Sequence, residues 1–222
     1  MSGSEVDRAK RYDSLRNAVI PYYDIMHDET IELIASLNPS PKKWLDTGCG
    51  TGNLVAAAEA TFPDTEFTLS DPSQDMLTLA REKVPLAIVL KPSKTQELAD
   101  RAAPPYDVIT SFLSHHYLSR KERIEAIRVC HSLLAPQGIF ICFEHTRPAT
   151  KSGEGIILSY WRRYQLARGR DKDTVESHLG RFDTAYFPLK IEEHIDLLKE
   201  SGFAQADLFW RSYMNAGFYA LR

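Results

Sequence analysis

The residues of this chain best placed to do chemistry begin with Asp46-Thr47-Gly48-Cys49-Gly50-Thr51-Gly52, a carboxylate followed by three alternating glycines. Glycines at this spacing let the main chain turn sharply and approach a ligand without Cβ clashes. Asp71 follows 21 positions after Gly50, in Leu69-Ser70-Asp71-Pro72-Ser73. An acid at the end of the second strand of such a unit can accept both hydroxyls of a ribose. Asp46 would repel a pyrophosphate, which argues against a dinucleotide. A cationic or zwitterionic ligand fits better, with Asp46 orienting the ammonium of an amino-acid tail.

Three histidines are candidates for a general base. His115 and His116 lie in Ser114-His115-His116-Tyr117, and His145 follows Glu144. An unperturbed imidazole titrates near 6.5, suited to taking a proton at neutral pH. Loop fixing and helix packing are the bland alternatives for the pair, and a loop anchor is the alternative for Glu144. No H-x-x-H or Cys/His ligand spacing appears, so no metal is expected. Cys49 is expected to serve as a small loop residue and not as a nucleophile.

These residues need a sheet to bring them together. Short apolar runs alternate with amphipathic stretches, the pattern of an α/β domain with a mostly parallel sheet. Strands are expected at Lys43–Asp46, Glu66–Ser70, Leu86–Leu90, Tyr106–Ser111, Ile139–Glu144, Ala204–Trp210 and Tyr213–Leu221. Helices are expected at Asn53–Ala60, Gln74–Lys83 and Ile191–Glu200, with Ser119 and Glu122 forming a capping box for the helix to Leu134. Pro136-Gln137-Gly138 is expected to stop that helix. The segment before Leu37 reads as helix broken near Pro21. Arg147 to Lys190 is far longer than an ordinary connection of about 4–6 residues. It reads as two helices, Glu154–Arg168 and Asp171–Leu179, and as a lid.

Asp46-x-Gly48-x-Gly50-x-Gly52, Asp71-Pro72-Ser73, Tyr106-Asp107-Val108-Ile109, the Leu133–Gly138 turn and the closing Gly202-Phe203 turn resemble a class I S-adenosylmethionine-dependent methyltransferase. The resemblance covers nearly the whole chain. It implies one Rossmann-like α/β domain over 1–222, strand order 3-2-1-4-5-7-6, an N-terminal helical cover (1–37) and a helical lid (147–190). The implied cofactor is S-adenosylmethionine, with S-adenosylhomocysteine as product. Carried over by position, Gly48, Gly50 and Gly52 cradle the methionine part, Asp71 with Pro72 behind it holds the ribose, and Met76 packs near the adenine. Thr95 and Gln96 flank the adenine edge. Lys94 stands where many relatives carry an acid, and Gln96 is the replacement contact. Ser111 and Phe112 close the pocket, and Ile20-Pro21-Tyr22-Tyr23 resembles a cofactor-covering helix, with Tyr22 as the contact.

The chain has 27 basic and 30 acidic residues, a net charge of −3 that does not suggest a nucleic-acid partner. Between 147 and 190 stand nine basic and five acidic residues, so that segment is +4 and the remainder −7. A positive lid suggests an acceptor carrying carboxylate or phosphate, with Arg181 as its anchor. The stretch from Arg181 through Gly202-Phe203 to Trp210 resembles the carboxy-S-adenosylmethionine synthase branch, in which a matching arginine contacts the extra carboxylate. Tyr164, Tyr186 and Tyr213 are candidate acceptor contacts, and a homodimer through the lid is the competing use of those aromatics. The expectation is methyl transfer to a small anionic metabolite. Carboxylated-cofactor synthesis, tRNA modification and a non-catalytic cofactor-binding module are the alternatives. Three cysteines without a CxxC, an N-terminus without a signal-peptide core and strand-length apolar runs suggest a cytoplasmic protein without membrane spans.

Overall fold

In the computed structural model, which describes Asp13 and residues 15–222, seven strands form one sheet in the order β3-β2-β1-β4-β5-β7-β6. The order implied by the resemblance is the one observed. Residues 1–12 and 14 of the expected N-terminal cover lie outside the described residues. The strands are β1 (Lys43–Thr47), β2 (Glu66–Ser70), β3 (Ile88–Val89), β4 (Tyr106–Phe112), β5 (Leu134–His145), β6 (Gln205–Ser212) and β7 (Asn215–Leu221). Pairing is parallel through β5, and β7 runs antiparallel to both β5 and β6.

Side-chain alternation sorts the core onto two faces. Leu45 of β1 joins Ile109, Phe140 and Phe218 on one face. Its neighbour Trp44 joins Leu69, Val108 and Ile141 on the other. Helices cover both faces: α1 (Tyr23–Leu37), α2 (Asn53–Ala58), α3 (Gln74–Lys83), α4 (Arg120–Leu133), α5 (Lys151–Ala167), α6 (Lys172–Leu179) and α7 (Ile191–Glu200). The Ser119–Glu122 capping box is present, and side-chain oxygens of Ser73, Thr150 and Asp171 accept from the first turns of α3, α5 and α6.

Boundaries differ where local pattern is weak. β3 keeps only two of five expected residues, because Leu86 is 90% exposed at the sheet edge with nothing to bury it. β5 begins at Leu134, before the Pro136-Gln137-Gly138 turn, because Leu134 already pairs with Tyr106 and the irregularity is absorbed as a register shift. The break near Pro21 is observed. Residues 15–19 are helical, Tyr22 adopts φ 61, and α1 starts at Tyr23.

The N-terminal segment is tied at both ends. Asp13 Oδ1 accepts from Thr51 Oγ1 (2.8 Å) and Asn53 Nδ2 (2.9 Å), and Lys83 Nζ lies 2.8 Å from Asp13 Oδ2. At the other end, Trp161 Nε1 donates to the Val19 carbonyl and Tyr164 Oη to that of Asn17, each at 2.7 Å. Helix α5 thus packs against residues 17–19.

Candidate active site

The glycine turn joins β1 to α2 with Gly48 at φ +66 and Gly50 at φ +55. A Cβ on Gly48 would fall 2.5 Å from both Cβ and Oγ of Ser114, so main chain and loop meet there too closely for any side chain. A Cβ on Gly50 would meet nothing within 4 Å. That open side faces a cavity of about 430 Å³ at the carboxyl ends of β1, β2 and β4, the position where open α/β sheets take ligands.

Asp46 stands on its floor, fully buried. Its Oδ1 accepts from Thr110 Oγ1 at 2.7 Å, and its Oδ2 has no partner. Burial raises its pKa to about 7, against the Thr110 hydrogen bond and with a further push from Asp71. Asp71 is fixed by two backbone donors, Gly50 N–H to Oδ2 (2.9 Å) and Ser73 N–H to Oδ1 (2.8 Å). Burial raises the Asp71 pKa and the two N–H groups oppose it. Pro72 and Met76 line one side, and Thr95 and Gln96 another. Gln96 Nε2 donates to the Glu122 carbonyl at 3.2 Å, leaving Gln96 Oε1 buried and unpartnered.

Several expected contacts fall elsewhere. Tyr22 is half exposed and tilts against Tyr213, whereas Tyr23 lines the cavity with His27 and Phe112. Ser111 is buried behind the wall, its hydroxyl 2.8 Å from Ser114 Oγ, and Ser114 is the lining residue. Gly52 does not line the cavity; it sits against Val84 and Ala80, where the loop meets α3. Tyr213 stacks on Tyr160 at 4.1 Å and Tyr164 packs beside it, both outside the two cavities.

A second cavity, of about 200 Å³, adjoins the first, and Leu113 and Tyr117 line both. Leu113 holds φ 53 and its N–H donates to the Phe143 carbonyl at 2.7 Å. The adjacent histidines separate. His115 lines the first cavity, its Nε2 3.1 Å from Thr95 Oγ1, which is 2.7 Å from Thr47 Oγ1. His116 and His145 line the second. Glu144 bridges the pair, its Oε1 accepting from the His115 backbone N–H (3.3 Å) and its Oε2 lying 3.1 Å from His116 Nδ1, which also receives the His145 backbone N–H at 3.4 Å. Burial raises Glu144 and lowers both histidines, favouring the neutral forms.

The second cavity is cationic. Arg16, Arg170 and Arg181 line it, and no carboxylate does. Among the described residues Arg170 and Arg181 have no carboxylate partner, whereas Arg147, Lys151 and Arg162 of the insertion pair with Glu154, Asp183 or Glu176. Arg181 also lies 5.7 Å from the Tyr117 ring and 5.3 Å from that of buried Tyr186. The residues that the sequence did not single out are His27, Ser114 and Arg170, together with Asn215 and Gln165 behind the histidines, while Tyr23 lies in the segment that resembles a cofactor-covering helix. For His27 a signal existed, its spacing of four from Tyr23 on one helix face.

Residues 45–140 match the family model of the methyltransferase domain. By this match and by its strand order the chain resembles a class I methyltransferase. Over 214 residues the chain is 20% identical to carboxy-S-adenosyl-L-methionine synthase of Campylobacter concisus, covering 93% of this chain and 89% of that one. Among solved structures it resembles magnesium protoporphyrin IX methyltransferase of Synechocystis with S-adenosylhomocysteine bound. That match has a TM-score of 0.65 and 17% identity, over 94% of this chain and 87% of that one. It also resembles an O-methyltransferase family protein from Burkholderia thailandensis (TM-score 0.63, 12% identity, 89% of this chain) but spans only 56% of that longer chain. These structural likenesses are likenesses of fold. Among the described residues, no helix is long and apolar enough to cross a membrane, and the three cysteines are free and buried.

The buried histidines make the domain acid-sensitive. Burial lowers His27 and His115 to about 4, and His178 and His194 to about 3. An unfolded histidine titrates near 6.5, so their contribution is complete above that pH and is lost as pH falls toward 4 and 3. Asp46, Asp71 and Glu144 act oppositely, since raised pKa values favour the fold at low pH, but with His116 and His145 also lowered six buried histidines face three carboxyls. The urea midpoint is expected to fall steadily from pH 6.5 to 4. His27→Phe, which replaces an unpartnered buried Nε2 beside Tyr23 and Phe112, should raise the midpoint at pH 5. A flat profile would contradict this.

Proposed function

We propose that this methyltransferase moves a methyl group to a small anionic acceptor held in the second cavity. The observation carrying this reading is the junction of the two cavities at Leu113 and Tyr117, with Arg170 and Arg181 unpaired on the acceptor side. Bound S-adenosylmethionine supplies a sulfonium methyl whose leaving group departs as a neutral thioether, so no general acid is needed. Asp46 Oδ2 is the acceptor for the ammonium of the methionine tail, and Gly48 and Gly50 leave room for that tail. Asp71 takes the ribose hydroxyls, with its two N–H bonds fixing the carboxylate. Met76 packs beside the adenine, and Gln96 Oε1, an acceptor without a partner, suits the exocyclic amino group. Tyr23 supplies the cover for which Tyr22 was the expected residue. Residues 147–190 act as the lid, and alignment of acceptor and methyl at the junction supplies the rate, worth up to about 7–11 kcal/mol in model systems. Three unpaired buried thiols support a cytoplasmic setting.

Asp71→Ala is expected to weaken S-adenosylmethionine binding by about 1–3 kcal/mol through lost charge-assisted hydrogen bonds. Unchanged calorimetric affinity would overturn the assignment of this pocket. A second reading, synthesis of a carboxylated cofactor, is favoured by the likeness to the Campylobacter synthase over nine-tenths of the chain. Mass spectrometry of the nucleoside co-purifying with the protein separates the two. S-adenosylhomocysteine supports methyl transfer, and a cofactor heavier by one carboxylate supports synthesis.

A further inference from the structure

Three imidazoles face the second cavity, and two of them, His145 and His178, hold an amide oxygen against Nδ1. His145 Nδ1 lies 2.7 Å from Asn215 Oδ1, His116 Nδ1 3.1 Å from Glu144 Oε2, and His178 Nδ1 3.1 Å from Gln165 Oε1. Gln165 Oε1 also accepts from Arg170. A guanidinium only donates, so that atom is oxygen and His178 Nδ1 must carry the hydrogen. A neutral imidazole protonated at Nδ1 presents a lone pair at Nε2. Burial keeps all three neutral at pH 7, lowering His178 to about 3 and His116 and His145 well below the ordinary value. His116 Nε2 is buried with no partner.

Lone pairs would repel a simple anion, whereas Arg170 and Arg181 attract one. Both demands are met by an anion that also carries a hydrogen-bond donor, a hydroxyl being the simplest. Among the described residues no three His, Cys, Asp or Glu side chains converge on a metal position, and three arginines would oppose a cation there.

We propose that the second cavity recognises a hydroxy acid, its anionic group on Arg170 and Arg181 and its hydroxyl donating to His145 Nε2, so that the methyl acceptor is oxygen. This rests on the functional reading above and narrows it. Of the three histidines His145 alone stands on the sheet, at the end of β5, while His178 rides on α6 and His116 Nε2 is sealed. In the reaction the hydroxyl proton passes to His145 Nε2, and the O–H electron pair stays on the acceptor oxygen. Asn215, paired with His145 across β5 and β7, is a positioning residue that keeps the hydrogen on Nδ1. The volume of about 200 Å³, about seven waters at about 30 Å³ each, suits a single-ring or short-chain acid.

The test is calorimetric titration of three probes into protein saturated with S-adenosylhomocysteine: 4-hydroxybenzoate, 4-methoxybenzoate and 4-hydroxybenzamide. The hydroxybenzoate is expected to bind at least tenfold more tightly than either analogue. His145→Phe and Asn215→Leu should erase the hydroxy-over-methoxy preference while keeping the carboxylate preference, and Asn215→Asp should restore it. Arg181→Ala should do the reverse, losing the carboxylate preference alone. Retained S-adenosylhomocysteine affinity certifies that each variant is folded, and a variant that loses it is replaced by His145→Gln. Methoxybenzoate binding as tightly as hydroxybenzoate overturns the hydroxy-acid proposal and leaves the anionic-acceptor reading standing. Hydroxybenzamide binding as tightly as hydroxybenzoate overturns the anionic reading itself. No binding of any probe at millimolar concentration overturns the proposal.

Discussion

Gly48→Ala is expected to cost the domain a large part of its stability, while Gly50→Ala leaves it folded and unable to hold its cofactor. Both positions have positive φ, where a Cβ costs about 1–2 kcal/mol. Only at Gly48 does the added atom meet matter, lying 2.5 Å from Ser114 Cβ and Oγ. Ser114 cannot yield freely, because its hydroxyl is 2.8 Å from that of buried Ser111. Overpacking of this kind adds about 1–3 kcal/mol, which brings the sum to about 2–5 kcal/mol against a typical total of about 5–15. At Gly50 the methyl enters the open cradle. Stability then falls by only the backbone cost of about 1–2 kcal/mol, and S-adenosylmethionine affinity is expected to drop at least a hundredfold. Urea denaturation and calorimetry on the same preparations separate the two losses. Equal midpoints for the two variants would refute the steric account.

The second large effect concerns Asp46. Its pKa of about 7 in the free protein and its unpartnered Oδ2 mean that a bound ammonium must meet a carboxyl that is half protonated at neutral pH. An adjacent positive charge favours the ionised form, so cofactor binding should release a proton near pH 7. Affinity is then level above that pH and falls by up to about tenfold per unit below it. Asp46→Asn keeps the shape and the Thr110 contact but removes the charge. The loss of about 1.5–3 kcal/mol for a charged hydrogen bond corresponds to about 10–150-fold in affinity, and the pH dependence should vanish with it. Calorimetry in two buffers of different ionisation heat measures the proton directly. A wild-type affinity that does not change between pH 6 and 8 would exclude Asp46 as the ammonium's partner.

The cofactor half of the site was legible because it is local. Asp46, the glycine turn and Asp71 occupy consecutive strand ends, and their spacing predicts that they meet in one cavity, where Asp46, Gly48, Gly50 and Asp71 are found. Errors of one to three residues arose where the backbone leaves its regular path. Pro21 puts Tyr22 at φ 61, outside the helix, so that Tyr23 and not Tyr22 begins the inward face. Ser111 is still within the strand and buried, and the chain must pass Leu113 before Ser114 reaches the wall. His115 and His116 are consecutive in a three-residue 3₁₀ turn (His115–Tyr117), where neighbours diverge by about 120°, so each serves a different cavity. The second cavity had no motif to find. Its wall and supports come from residues 15–20, 113–117, 145, 165–181 and 215, of which the sequence singled out His116, His145 and Arg181. Three of the nine basic residues of 147–190, Arg147, Lys151 and Arg162, pair with acids of the insertion, and Arg170 and Arg181 are the ones that line the cavity.

The change of strand direction at β7 divides the molecule in a way that bears on how such a domain diversifies. The nucleoside pocket draws on β1, β2, β4 and the turns that follow them. The neighbouring chamber draws on the antiparallel β5–β7 pair, residues 15–20 and the 147–190 insertion. Leu113 and Tyr117 are the two side chains held in common, and Leu113 is fixed by a main-chain bond to β5. The two halves are therefore separable inventories. Exchanging the insertion re-specifies what arrives at the boundary without disturbing what is stored behind it, so libraries confined to 147–190 should alter substrate range at constant cofactor affinity.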